Sequence, residues 1–126
     1  MNVLVVGELK APWRKRIAEI MGTGYSFNIF GGQNTQDLSK RIKDESPDFL
    51  LYEFGPDHPS SKDRLDFVRD ENPKMPIVCL TYYKVRESDI CNNYCACINM
   101  MDVNLLSEEN ESAVRAAFEE AQQLLN

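Results

Sequence analysis

Short apolar runs alternate along the chain with polar segments in which apolar residues recur at helical spacing. Asn2–Val6, NVLVV, is a short apolar run rich in β-branched residues, and Gly7 follows it. Such a run suits a strand covered on both faces, as in a parallel sheet. Pro12 fits the first turn of a helix. Trp13, Ile17, Ile20 and Met21 then share one helical face, with an end expected near Gly22 or Gly24. Residues 25–30, YSFNIF, alternate aromatic or apolar with small polar residues and predict a half-buried strand, ended by Gly31 and Gly32. Asn34 or Thr35 can cap a second helix carrying Leu38 and Ile42.

Pro47 closes that helix, and residues 48–53 form a third apolar run that stops on Glu53. Ser60 or Ser61 can cap a helix burying Leu65 and Val68, which ends before Pro73. Residues 77–81, IVCLT, predict a fourth strand. Residues 84–93 predict a helix whose apolar stripe, Val85, Ile90 and Cys91, is ragged. Residues 95–100, CACINM, predict a fifth strand. Ser107 caps a last helix whose first turn carries Glu108, Glu109 and Glu111, favourable to the helix dipole. Its inner face is Val114, Phe118, Ala121 and Leu125. Strand and helix thus alternate five times, which predicts an α/β fold: a doubly wound, five-stranded parallel sheet of flavodoxin-like (βα)5 type with right-handed crossovers. No repeat or linker interrupts the pattern, so residues 1–126 are expected to form one domain.

Composition narrows the function. The net charge of −6 over 126 residues argues against direct nucleic-acid binding by this domain, because phosphate backbones attract basic surfaces. No run approaches the roughly 20 apolar residues that span a bilayer, and the N-terminus lacks the basic region of a signal peptide. A cytoplasmic chain without a membrane partner is expected. Cys79, Cys91, Cys95 and Cys97 give the spacing C-x3-C-x-C with no second CxxC pair, and the single histidine, His58, is distant. That pattern favours buried, reduced thiols over a metal site.

In a doubly wound sheet, sites form beyond the carboxyl ends of the strands at the switch in strand order. Glu8 after the first strand, Glu53 at the lip of the third and Thr81 at the end of the fourth should converge there. The whole chain resembles the response-regulator receiver (chemotaxis-type) family. "SPDFLLYE" is similar to the family's third-strand phrase, whose last position is the phosphoacceptor aspartate. "MPIVCLT" resembles its fourth strand, ending in a hydroxyl residue that contacts the phosphoryl group, and "NVLVVGE" resembles the first strand and its acidic pair. Against that pattern, Glu53 stands at the acceptor position and Gly7 replaces one of two metal-binding acids. Met100, with Met101 after it, stands where the family has lysine and proline, and Cys97 falls on the aromatic switch position. Glu8 and Thr81 match.

Phosphoryl transfer depends on positioning and on cations that neutralise the phosphoryl oxygens, and magnesium requires near-octahedral oxygen ligation. The resemblance with these departures implies a degenerate, or pseudo-, receiver: not an enzyme, without cofactor, with weak or absent magnesium binding, acting as a phosphorylation-independent protein-interaction module. The alternative is a genuine phosphorelay receiver that uses unusual residues. Glu53 either imitates a phosphorylated aspartate by reaching Thr81 or is a solvated strand end. Tyr82, Tyr83, Arg86 and Tyr94 are the partner-binding candidates, since aromatic and arginine side chains dominate interface energetics; a tyrosine among them can equally be a packing residue. The implied partner is a protein such as a sensor kinase or an output domain, and the sequence leaves the oligomeric state open. An FMN site is disfavoured because "GELKAPWR" offers one glycine and a donor-less proline to a phosphate. A cobalamin site is disfavoured because Asp57 and His58 lie in the wrong loop.

Overall fold

The computed structural model describes residues 1–7, 11–31, 34–54, 61–81, 96–99 and 111–123. Its strands are β1 (Asn2–Val6), β2 (Ser26–Phe30), β3 (Phe49–Phe54), β4 (Ile77–Thr81) and β5 (Ala96–Asn99). The helices among the described residues are α1 (Ala11–Met21), α2 (Thr35–Glu45), α3 (Ser61–Glu71) and α4 (Glu111–Gln123). The strands form one all-parallel sheet in the order β2-β1-β3-β4-β5. The expected α/β, doubly wound architecture is therefore the observed one. The helix expected over residues 84–93, its stripe, Ser107 and Leu125 lie outside the described residues.

Side chains alternate across the sheet and supply two cores. Val3 and Val5 of β1, Phe49 and Leu51 of β3, and Val78 and Leu80 of β4 pack under α1 and α4, against Ile17, Ile20, Val114 and Phe118. The intervening residues Leu4, Val6, Leu50, Tyr52, Ile77 and Cys79 pack under α2 and α3, against Leu38, Ile42, Leu65 and Val68. Because helices cover both faces, β1, β3 and β4 need apolar residues at every position, which is why they read as continuous runs. β2 lies at the sheet edge, and its alternation is visible as exposed Ser26 and Asn28 beside half-buried Phe27 and Ile29.

The helix ends have identifiable causes. The Asn34 side chain accepts hydrogen bonds from the backbone N–H groups of Gln36 and Asp37 at 2.8 and 3.2 Å. These satisfy donors with no intrahelical partner, and Asn34, not Thr35, is the cap. α2 stops at Ser46, which is left-handed (φ 45°) and donates its N–H to the Ile42 carbonyl. Beyond α3, buried Arg69 gathers the carbonyls of Asn72, Pro73 and Met75, the last at 2.6 Å. α1 and α4 are joined by the Arg16–Glu111 ion pair at 2.7 Å. The Glu111 hydrogen bond raises the Arg16 pKa above its ordinary value. Arg115 of α4 also donates to the Ile20 carbonyl at 3.2 Å.

Candidate functional site

The chain leaves β1 for β2 on one side and returns to β3 on the other, so the switch in strand order falls between β1 and β3. The last printed step of that register pairs Val6 with Tyr52. Gly7 and Glu53 follow them at the carboxyl ends, where doubly wound folds place their sites. The Gly7 N–H still donates to the Phe30 carbonyl at 3.1 Å, so this backbone is tied to β2 as well.

Gly7 has φ +119°, a conformation that only glycine adopts at low cost. The space above it is taken by Glu53. A Cβ on residue 7 would lie 2.7 Å from the Glu53 Cβ, 2.9 Å from its Oε2 and 3.5 Å from its Cδ. The glutamate therefore leans over the strand end of its neighbour, and Oε2 is shielded from solvent. Position 7 lacks a carboxylate, and it has no room for one while Glu53 keeps this conformation.

On the β4 side, Glu53 stands opposite Leu80, and Thr81 stands one step further, opposite Phe54. Thr81 is thus at the carboxyl end of β4, as expected. Glu8, Met100, Tyr82, Tyr83, Arg86 and Tyr94 lie outside the described residues, as do Asp57 and His58. The structure accordingly brings Gly7 and Glu53 together and places Thr81 on the neighbouring strand end. Among the described residues, no group of three or more His, Cys, Asp or Glu could hold a metal ion.

Directly before Glu53, Tyr52 is fully buried on the opposite face. Arg64 of α3 donates to the Tyr52 hydroxyl at 2.9 Å, and its guanidinium lies 5.5 Å from the ring centroid. This polar handle on a core tyrosine anchors α3 beside the end of β3. Sequence reading did not single out that pair; a tyrosine inside an apolar run was the available signal.

The cysteine reading needs one correction. Cys79 is fully buried and keeps its thiol, as a small hydrophobe would. Cys97, expected to be reduced, is disulfide-bonded. Its partner lies outside the described residues.

No family model matches the chain, and no curated protein matches it. Solved structures do. A transiently phosphorylated "switch" of bacterial signal transduction aligns over 99% of this chain and 97% of that one, at 15% identity and a TM-score of 0.63. The response regulator domain of Thermotoga maritima CheB aligns over 100% and 96%, at 13% identity and a TM-score of 0.65. The receiver domain of Aquifex aeolicus NtrC4 aligns over 94% and 97%, at 16% identity and a TM-score of 0.61. At these identities the likeness shows the fold: this chain has the receiver architecture along essentially its full length.

Proposed function

We propose that the chain is a receiver-type domain of signal transduction that works through protein contacts and not through its own phosphorylation. The supporting observation is the Gly7–Glu53 arrangement. The position that corresponds by resemblance to the phosphoacceptor carries a longer carboxylate, and that carboxylate lies over a glycine where the family has an acid. Magnesium fits these described residues poorly, since they offer one carboxylate at the switch point and a cation of this kind needs several oxygen ligands. Without the neutralising cations, the charge that develops on a transferred phosphoryl group has little to stabilise it.

On this reading the domain is not an enzyme, needs no cofactor and acts in the cytoplasm. Its partner is another protein, a sensor kinase or an output domain, docked on the face to which Tyr82, Tyr83, Arg86 and Tyr94 belong by sequence. The likeness to a phosphorylated switch and to two response-regulator domains supports the signalling class. Incubation with acetyl phosphate and magnesium, followed by intact-mass measurement, tests the reading. No phosphoryl mass should be gained. A stoichiometric increment that survives acid and is lost in base would overturn it and establish a phosphorelay receiver with unusual residues.

A further inference from the structure

We propose that the open edge of β2 pairs with the same edge of a second copy of this chain, as antiparallel strands related by a two-fold axis at Asn28. β2 is the outermost strand on its side of the sheet. The Ser26 N–H donates to the Met1 carbonyl at 2.8 Å, and the Phe30 carbonyl accepts from the Gly7 N–H at 3.1 Å. The register between these ends is parallel and unbroken, so Ser26, Asn28 and Phe30 turn their backbone groups towards β1. Phe27 and Ile29, one step out of phase, turn theirs outward, and no described residue takes them up.

Such an edge is a template for another strand, and natural edges are commonly guarded by charge, proline or a bulge. SFNIF carries no charge and no proline, and its register with β1 contains no bulge. Pairing the strand with itself satisfies the outward groups. With Asn28 opposite the partner's Asn28, Phe27 stands opposite the partner's Ile29, and the two equivalent pairs exchange their backbone hydrogen bonds. Phe27 and Ile29 are half-buried against the core under α1 and α4, and an aromatic–β-branched pair across the seam extends that core. Asn28 is exposed on the other face, at a non-hydrogen-bonded pair where side chains approach most closely. Its amide is both donor and acceptor, so it complements itself.

Charge favours a second copy at this edge. Residues 1–45, which hold β1, α1, β2 and α2, carry seven Lys or Arg and five Asp or Glu, a net +2. Residues 46–126 carry seven and fifteen, a net −8, and the sheet order sets β3, β4 and β5 on the far side. Meeting at β2 joins the nearly neutral sides and keeps the acidic ones apart, where salt screens their repulsion. A five-residue seam is small for a permanent interface, so the dimer is concentration-dependent. The inference stands or falls independently of phosphorylation.

The test sediments the full chain over a concentration series and reads amide hydrogen exchange by NMR at both ends of it. The parent should pass from monomer to dimer mass as concentration rises. Protection should grow at the Phe27 and Ile29 amides and not at Asn28, whose N–H already faces β1. Asn28→Lys and Asn28→Glu each set like charges opposite one another, and each should stay monomeric where the parent is mostly dimer. Their equimolar mixture should restore the dimer. The exchange readout uses the parent alone, so the test survives a variant that fails to fold. A parent that is monomeric throughout would overturn the inference and leave the edge to an extended segment of a different protein. A dimer that persists in both charged variants, or that forms without protecting Phe27 and Ile29, would overturn it too.

Discussion

Replacing Gly7 by alanine tests the crowding at the switch point most directly. Two costs add in the parent. A non-glycine residue at φ +119° is held in a sparsely populated conformation, which costs about 1–3 kcal/mol. The new methyl would lie 2.7 Å from the Glu53 Cβ and 2.9 Å from Oε2, and overpacking of this kind costs about 1–3 kcal/mol. Gly7→Ala should therefore lose roughly 2–6 kcal/mol, a large part of the about 5–15 kcal/mol that holds a typical domain together. Urea unfolding should show a lower midpoint at an unchanged slope. Glu53→Ala would leave the closest contact in place, because that contact is to Cβ. Glu53→Gly removes it. In that background Gly7→Ala should cost only the conformational part, giving a coupling of about 1–3 kcal/mol in the double-mutant cycle. A coupling below about 0.5 kcal/mol would refute the crowding.

The remaining predictions concern the scaffold. Phe118, with its ring 5.2 Å from Phe49 and 6.3 Å from Tyr25, lies fully buried on the inner face of α4. Phe118→Ala should lose about 3–5 kcal/mol by urea unfolding, and a loss under about 1 kcal/mol would show that α4 is not docked as described. Asn34→Ala removes the acceptor for the Gln36 and Asp37 N–H groups. It should cost about 0.5–2 kcal/mol while Asn34→Asp stays near the parent; equal losses in both would show that the side chain does not cap α2.

Most of the fold was legible because burial on both faces leaves little freedom. β1, β3 and β4 read as unbroken apolar runs, and edge strand β2 read as an alternation, for the same physical reason. The bounds moved by a residue or so: β2 begins at Ser26 and not Tyr25, and β5 spans Ala96–Asn99 within the expected 95–100. The choice between Asn34 and Thr35 as cap stayed open because both types cap well, and only geometry selects one. The site was half legible. Strand ends and the switch rule gathered Glu8, Glu53 and Thr81 at one lip and the resemblance added Gly7, but the lean of Glu53 over Gly7 depends on register between residues far apart in sequence. The positive φ of Gly7 had a visible signal, a glycine closing an apolar strand. The Cys97 disulfide had none that decides, since C-x3-C-x-C fits reduced thiols as readily.

The direction of the Glu53 side chain bears on what its charge does. Imitation of a phosphorylated aspartate requires the carboxylate to act on the end of β4, where a charge-assisted hydrogen bond to a hydroxyl would be roughly twice as strong as a neutral one. Oε2 of the carboxylate lies over Gly7, just past the end of β1, and the register sets Glu53 opposite Leu80, with Thr81 opposite Phe54. A filling role, in which the volume of Glu53 over the bare glycine matters more than its charge, predicts a different outcome from imitation. Glu53→Gln separates the two, because it keeps the volume and removes the charge. If volume is what counts, stability should stay close to the parent's, and amide NMR shifts should change near Gly7 and Glu53 while those of Thr81 and Tyr83 do not. Displaced shifts at Thr81 and Tyr83, with weakened stability, would instead make the charge the active feature and restore imitation. Glu53→Asp shortens the side chain and withdraws its carboxylate from above Gly7, yet it supplies neither the acid that the resemblance expects at residue 7 nor the lysine it expects at residue 100. Restoring one residue of the pattern should therefore leave acetyl phosphate without effect.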